Sequence, residues 1–180
     1  PKDRDIAMVF QNYALYPHMT VYDNMAFGLK LRKVPKDEID KMVRNAAKIL
    51  DLTQLLDRKP KALSGGQRQR ISIARALSLQ PKLIVCDEPV SALDVSIQAQ
   101  ILNLLRRIQK ETGVSYLFIA HGLGAVHYVS DRIAVMYLGR IVEIGTSQDV
   151  FHHALHPYSI GLIDAVPVAD PDQRMSDDKI

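Results

Sequence analysis

The residues best suited to chemistry lie in two segments about twenty positions apart. The first, residues 63–70, reads LSGGQRQR and places a serine and two glycines where a helix is predicted to begin. The second is an apolar run, residues 83–86, that ends in Asp87-Glu88-Pro89. A glycine-rich helix start offers backbone N–H groups to a phosphate, and an acidic pair at a strand end suits Mg²⁺ and a water molecule. Together the two segments predict nucleotide hydrolysis.

Five motifs in the same order resemble those of the ATP-binding subunit of ABC transporters. Residues 63–67 (LSGGQ) are similar to the family signature, and residues 83–88 to its Walker B strand with the catalytic glutamate. The other three are the Q-loop glutamine after an apolar strand, the D-loop and the switch histidine, found at Gln11, 91–94 and His121. The resemblance runs from about Arg4 to about Pro167. It implies an α/β fold with a P-loop NTPase (RecA-like) core and an inserted α-helical signature subdomain.

One motif of that family is missing from the sequence. The pattern G-x-x-x-x-G-K-[ST], the Walker A loop, occurs nowhere in the 180 residues. In the family this loop lies upstream of the Q-loop. The resemblance therefore implies a domain truncated at its amino end, and we do not expect it to hydrolyse ATP unaided.

The resemblance assigns catalytic roles to four side chains. Asp87 would hold Mg²⁺ through water, and Gln11 would bind the same ion or orient the attacking water. Glu88 would polarise that water, while His121 would hydrogen-bond the γ-phosphate and the water. Taken singly, the acidic pair could instead cap a turn and the histidine could be an ordinary core residue. The sequence also departs from the family after the switch histidine, where Gly122 replaces the usual acidic residue.

The signature would bind nucleotide rather than hydrolyse it. In the family it faces the ATP that the opposite subunit holds, which implies a head-to-tail dimer with two composite sites for ATP and Mg²⁺. Asp94 would lie at the dimer interface close to the opposite site, although an aspartate before a helix could equally be an N-cap. The residues assigned to nucleotide are Leu63, Ser64, Gly65, Gly66, Gln67, Asp87 and Asp94.

An aromatic-rich segment follows the Q-loop glutamine. Residues 13–20 read YALYPHMT, and in the family this region receives a short helix from the transmembrane permease subunit. We expect Tyr13, Tyr16 and Met19 to make that contact. The alternative is ordinary packing within the helical subdomain.

Periodicity of the apolar residues predicts the elements that must position these side chains. Strands are predicted at 83–86, 116–120, 133–137 and 141–144, with a hairpin turn at 138–140. Helices are predicted at 21–31, 36–52, 65–78 and 96–112, with short helices from about 147 and 157 and a frayed end from Ala169. We expect an α/β core at 1–11 and 80–146, a helical subdomain at 12–79 and a C-terminal tail at 147–180.

Composition indicates an ordinary globular domain. The chain is 47% hydrophobic and 24% charged, and its net charge of +3 is too small to indicate a nucleic-acid partner. No run approaches the ~20 apolar residues that cross a bilayer, and no secretory signal is present, so we expect a cytoplasmic protein. The resemblance implies that it is peripheral on the cytoplasmic face of the cell membrane. Cys86 is expected to be buried, and Pro157 directly after His156 argues against a metal site at His152 and His156.

The likeness to importers changes along the chain. Residues 4–20 are similar to importers of sugars and polyols, whereas residues 71–77, 89–96 and 156–159 are similar to oligopeptide and dipeptide importers. We therefore hypothesise a recombinant or chimeric chain, joined near Leu63. The sequence predicts an ATP-driven importer subunit of the peptide or sugar class. The alternative is a non-catalytic module that pairs with a complete subunit, because Walker A is absent; a non-transport ABC protein fits the segment 13–20 less well.

Overall fold

A computed structural model describes residues 5–165, and the packing of the chain divides into two units with a boundary after Gly122. The first unit contains β1 (Ile6–Val9), α1 (Val21–Leu31), α2 (Lys36–Ile49), α3 (Gly65–Leu77), β2 (Leu83–Asp87), α4 (Val95–Thr112) and β3 (Ser115–Ile119), with short 3₁₀ turns at Thr53–Leu55 and Pro60–Ala62. The second contains α5 (Leu123–Val129), β4 (Arg132–Tyr137), β5 (Arg140–Thr146), α6 (Ser147–His152) and α7 (Pro157–Asp164).

The first unit is built on a parallel sheet in the order β1-β2-β3. Ile6 pairs with Leu83, which pairs in turn with Ser115, and the same register continues to the ends of the strands. Parallel neighbours with helical connections confirm the predicted α/β core. All three strands also end at one edge, so the residues after them come together there.

The two faces of this sheet differ sharply. On one face Val9, Ile84 and Cys86 are fully buried, and α3 packs on β1. The other face presents large apolar side chains that are 39–53% exposed, namely Ile6, Met8, Leu117 and Ile119. Parallel sheets are ordinarily covered on both faces. This face of the sheet is therefore an exposed apolar surface.

Helices α1, α2 and α3 pack against one another. Thr20 caps α1 by accepting a hydrogen bond from the Asp23 N–H, and α2 starts directly after Pro35 with acidic residues in its first turn. Buried Asn24 fixes the preceding loop, since its side chain accepts from the Tyr16 N–H and donates to the Tyr16 carbonyl. The loop that follows the Q-loop glutamine is thus tied to α1.

Helix α4 carries the predicted apolar face inward. Ile101, Leu105 and Ile108 are buried, and the helix ends where Gly113 adopts φ 71°, a left-handed conformation that glycine reaches without strain. Ile97, one turn before Ile101, is only half-buried at the amino end of α4. Its side chain lies next to Gly66 of the signature, where an added Cβ would come within 2.9 Å of Ile97 Cγ2.

The second unit is organised around the predicted hairpin. Strands β4 and β5 are antiparallel, and the turn residues Leu138 and Gly139 both have positive φ, as two-residue hairpins require. Ile133, Val135 and Val150 form its small core. The frayed end predicted from Ala169 lies outside the described residues.

The histidines of the second unit do not share a helix. Helix α6 ends at His152, and His156 instead precedes α7, where its Nδ1 accepts a hydrogen bond from the Tyr158 N–H. His152 and His156, the pair weighed as a metal site, therefore do not lie on one helix. Among residues 5–165, no helix is both long enough and apolar enough to span a bilayer.

Candidate functional site

The three strand ends of the parallel sheet carry the predicted catalytic residues. Gln11 follows β1 by two positions, Asp87 is the last residue of β2 with Glu88 next, and His121 follows β3 by two positions. Because β2 lies between β1 and β3, the acidic pair lies between the glutamine and the histidine. The structure thus brings four residues from distant parts of the sequence to one edge of the sheet.

Glu88 and His121 face each other at this edge. The Nδ1 atom of His121 lies 3.3 Å from Glu88 Oε1. The Glu88 side chain is 32% exposed and the His121 side chain 76% exposed, so the pair is open to solvent. A carboxylate next to an imidazole, both open to solvent, is an arrangement that general base catalysis can use.

The backbone holds Glu88 in an unusual conformation. Its φ is 45°, in the left-handed region that residues other than glycine seldom adopt. The Glu88 N–H donates to the Ile119 carbonyl at 2.9 Å, and the Ser91 hydroxyl donates to the Glu88 carbonyl at 3.1 Å. Next in the chain, the Pro89 carbonyl accepts a hydrogen bond from the buried Gln69 side chain of α3. These bonds fix the direction of the Glu88 side chain and offset the strain.

Asp87 and Gln11 offer oxygen ligands of the kind that Mg²⁺ takes. Asp87 is half-buried at the end of β2, and Gln11 is exposed in the turn after β1. Among residues 5–165 no group of three or more His, Cys, Asp or Glu side chains could hold a metal ion. Mg²⁺ is commonly bound by one or two protein oxygens together with waters and substrate phosphates. The donor set therefore fits an ion that arrives with a nucleotide.

A capping box begins the signature helix. The Ser64 hydroxyl accepts from the Gln67 N–H at 3.2 Å, and Gln67 Oε1 accepts from the Ser64 N–H at 3.0 Å. The signal for it, serine followed three residues later by glutamine, is present in the sequence, and our sequence analysis missed it. By helix geometry the N–H groups of Gly65 and Gly66 have no intrahelical acceptor. These two N–H groups lie at the amino end of α3, which is the positive end of the helix dipole. The exposed Ser64 hydroxyl next to them accepts a hydrogen bond and still has its own proton to donate.

Packing also favours glycine at these two signature positions, most strongly at Gly66. A Cβ on Gly66 would lie 2.9 Å from Ile97 Cγ2 of α4, closer than real Cβ atoms approach. A Cβ on Gly65 would lie 3.3 Å from the Tyr13 hydroxyl and 3.4 Å from Leu93 Cδ2. Small residues here therefore allow α3, α4 and the Q-loop segment to approach closely, in addition to exposing backbone N–H groups.

Asp94 occupies the N-cap position of α4 with an extended backbone, yet its side chain makes no capping hydrogen bond. The alternative that Asp94 is an N-cap therefore fits its position in the chain but not its side-chain contacts. The residue is exposed; it directly follows Leu93, which neighbours Gly65, and it lies one turn before Ile97, which neighbours Gly66.

The three residues predicted to contact a permease lie in different surroundings. Tyr13 is half-buried, with the Arg68 guanidinium 5.4 Å from its ring centroid. Tyr16 is 37% exposed and packs on Phe27 of α1, with ring centroids 4.7 Å apart. Met19 is half-buried. Tyr13 therefore makes contacts with α3, whereas Tyr16 offers more open surface.

Helix α3 supports the site in a way that no motif indicated. Gln69 binds the loop after Glu88, and Arg75 binds the carbonyls of the segment after Gln11. The only sequence signal is their position on the helix that follows the signature. A polar residue inside a buried helix face, as Gln69 is, could have been singled out.

Two family profiles match parts of the chain. A family profile described as "ABC transporter" matches residues 2–91, and one described as "Oligopeptide/dipeptide transporter, C-terminal region" matches residues 142–180. The chain belongs to the ABC transporter ATP-binding family, and its mixed α/β fold with a parallel sheet is consistent with a P-loop NTPase.

Individual relatives come from two importer classes. The chain is 46% identical over 178 residues to the trehalose/maltose import ATP-binding protein MalK of Thermococcus litoralis, covering 99% of this chain and 48% of that protein. It is 52% identical over 170 residues to the oligopeptide transport ATP-binding protein OppF of Streptococcus mutans, covering 91% of this chain and 55% of that protein. A solved structure, cbiO1 of Clostridium perfringens, described as part of the ABC transporter complex cbiONQ, matches with TM-score 0.76 and 35% identity over 83% of this chain and 60% of that one.

The chain spans about half the length of the curated relatives it matches. Both the sugar and the peptide relatives align over more than nine-tenths of it, across the junction proposed near Leu63. The mixed likeness found in the sequence is thus present among the relatives. A chimeric origin stays a prediction.

Proposed function

We propose that the chain serves as the ATP-binding and ATP-hydrolysing part of an ABC importer, with Glu88 as the residue that polarises the attacking water. The observation that carries this proposal is the 3.3 Å approach of His121 Nδ1 to Glu88 Oε1 at the sheet edge. Because Nδ1 of His121 faces Glu88, the Nε2 atom would be available to bind a phosphate oxygen. The pair then fixes a water between the carboxylate and the γ-phosphate.

Asp87 and Gln11 would hold Mg²⁺ brought by the nucleotide, Asp87 through water and Gln11 through its amide oxygen. The bound ion would supply positive charge that offsets the negative charge of the phosphate groups. Burial of β2 on one face keeps Asp87 in a fixed direction. Gln11 lies in an exposed turn, so its position depends on what holds that turn.

Ser64, Gly65 and Gly66 would bind the γ-phosphate of an ATP molecule held by a second subunit. The exposed start of α3, its first-turn N–H groups and the Ser64 hydroxyl support this role. Family resemblance gives the arrangement, a head-to-tail dimer in which each nucleotide lies between two chains. Leu63 and Gln67 would shape the start of the helix, and Asp94 would face the partner.

The importer would carry oligopeptides or sugars, with permease subunits contacting residues 13–20 on the cytoplasmic face of the membrane. The names of the relatives support import, and the match of residues 142–180 to the oligopeptide/dipeptide C-terminal region favours the peptide class. Among the three contact residues proposed, Tyr16 is the most open.

The test is steady-state ATPase activity of the chain extended at its amino end by the Walker A segment of the trehalose/maltose relative. Glu88→Gln should lower turnover by about 100-fold or more, because it removes the carboxylate but keeps the shape. Glu111→Gln is the matched control, since Glu111 lies on the exposed surface of α4 beside Arg107. Equal activity of Glu88→Gln and Glu111→Gln would reject the proposal.

A second function, that of a non-catalytic module pairing with a complete subunit, is favoured by the uncovered apolar face of the parallel sheet. The chain would then supply only its signature to ATP held by the partner. The test mixes the 180-residue chain with a complete subunit whose own signature is inactivated. ATPase activity restored equally by the wild-type chain and by Glu88→Gln would establish this second function; no restored activity would exclude it.

A further inference from the structure

The backbone just after Gln11 is strained. Tyr13 has φ 62° and Ala14 has φ 45°, two consecutive left-handed residues that are not glycine. The Tyr13 N–H donates to the Phe10 carbonyl at 3.2 Å, and the Ala14 N–H donates to the Asn12 carbonyl at 2.7 Å. Such conformations cost on the order of 1 kcal/mol or more each, so they persist only where the surroundings enforce them.

Arg75 supplies that enforcement. Its guanidinium donates to the Ala14 carbonyl through one Nη atom and to the Tyr13 carbonyl at 3.3 Å through the other. Arg75 is half-buried on α3, and this desolvation lowers the pKa of its guanidinium from the usual value. The group remains charged, because arginine stays protonated throughout the physiological range. The planar guanidinium of Arg75 thus donates hydrogen bonds to two carbonyls of the same turn.

A second set of contacts joins the same turn to the amino end of α3. The Arg68 guanidinium lies 5.4 Å from the centroid of the Tyr13 ring, and the Tyr13 hydroxyl approaches the position where Gly65 would carry a Cβ. Helix α3 therefore contacts the turn twice, once near the amino end of the helix and once near the carboxyl end of the helix.

We propose that Arg75 is a positioning residue for Gln11: it clamps the turn after Gln11 to α3, so that the glutamine and the signature helix start move as one body. What Gln11 and the signature do chemically rests on the proposed function. The clamp itself does not, because it is a property of residues 11–14 and α3. Lysine at position 75 keeps the charge but cannot donate to both carbonyls in the same plane.

The test is amide hydrogen exchange on the 180-residue chain without nucleotide, comparing Arg75→Lys with wild type. We expect the Tyr13 and Ala14 amides to exchange at least tenfold faster, with α2 (Lys36–Ile49) unchanged. Arg44→Lys is the matched control, since Arg44 forms an exposed ion pair with Asp40 on α2, and it should leave Tyr13 and Ala14 unaffected. Unchanged exchange at both amides, or an equal rise in α2, would overturn the proposal.

A rescue separates the clamp from a general packing role. Glycine adopts positive φ without strain. Adding Ala14→Gly to Arg75→Lys should therefore slow the exchange of the Tyr13 amide at least threefold relative to Arg75→Lys alone. No recovery would contradict the role of Arg75 in enforcing this conformation. If Arg75→Lys does not fold, the wild-type chain decides by NMR. Arg75 Nη protons should then exchange more slowly than those of Arg44, and equal rates would overturn the proposal.

The exchange measurements and the ATPase test of Glu88 fail independently. A fast Tyr13 amide in Arg75→Lys would leave the clamp standing even if the extended chain hydrolysed no ATP. Conversely, an active Glu88-dependent enzyme with unchanged exchange would retain the proposed function and remove the clamp.

Discussion

His121 Nδ1 lies 3.3 Å from Glu88 Oε1, and the two residues come from loops that follow neighbouring parallel strands. Thirty-three positions of sequence separate them. The Glu88 N–H donates to the carbonyl of Ile119, two residues before His121, so the same pair of strands fixes both the backbone and the side-chain contact. We therefore propose that the two side chains act as a unit.

A unit of this kind predicts non-additive kinetics. In the chain extended by a Walker A segment, Glu88→Gln and His121→Ala should each lower ATPase turnover by about 100-fold or more, and the double variant should be no slower than the slower single variant. Steady-state rates of the four proteins check this. Losses that multiply would show that the two residues act separately.

The contact between Gly66 and Ile97 predicts a stability effect that depends on both. Gly66→Ala should lower the free energy of unfolding by about 1–3 kcal/mol, because its Cβ would overlap Ile97 Cγ2. In an Ile97→Ala background the same change should cost less than about 0.5 kcal/mol, since the obstructing atom is gone and alanine favours helix over glycine. Urea denaturation measures both. Equal losses in the two backgrounds would refute the packing argument.

The capping box at Ser64 separates stability from nucleotide binding. Ser64→Ala should cost about 1 kcal/mol of unfolding free energy, and Thr20→Ala, which removes the equivalent cap of α1, should cost about the same. Only Ser64→Ala should also lower the ATPase rate of the extended chain. Identical ATPase rates in the two variants would remove Ser64 from the nucleotide site.

Burial of Cys86 predicts an unreactive thiol. Desolvation raises the pKa of the Cys86 thiol to about 12, so that at pH 8 only about one thiol in ten thousand is ionised. We expect a disulfide reagent to modify the native chain slowly at pH 8 and the guanidinium-unfolded chain at once. Cys86 is the single cysteine, which makes the signal unambiguous. Rapid native modification at pH 8 would mean that β2 is not buried as described.

Much of the fold could be predicted because the sequence is locally consistent. The apolar run before Asp87, the helix ending at Gly113 and the turn residues Leu138-Gly139 each indicated one structure, and each forms it. Strand ends in a parallel sheet share an edge, so the placement of Gln11, Glu88 and His121 followed from their positions after strands. Their catalytic roles stay predictions.

The supports of the site could not be predicted in the same way. Arg75 binds the segment after Gln11 across 61 positions, and Gln69 binds Pro89 across 20. Periodicity places such residues on a helix but does not say which loop lies against it. The division after Gly122 was likewise not indicated, because the strands on both sides of it have similar composition.

Binding of Mg-ATP tests the central claim most directly, by titration calorimetry of the chain extended with a Walker A segment, of its Asp87→Ala variant, and of the 180-residue chain. We predict affinity in the micromolar range for the extended chain, at least tenfold weaker binding for Asp87→Ala, and no saturable binding below about 1 mM for the unextended chain. Equal affinity of the extended chain and its Asp87→Ala variant would contradict the assignment of this sheet edge as the nucleotide and magnesium site.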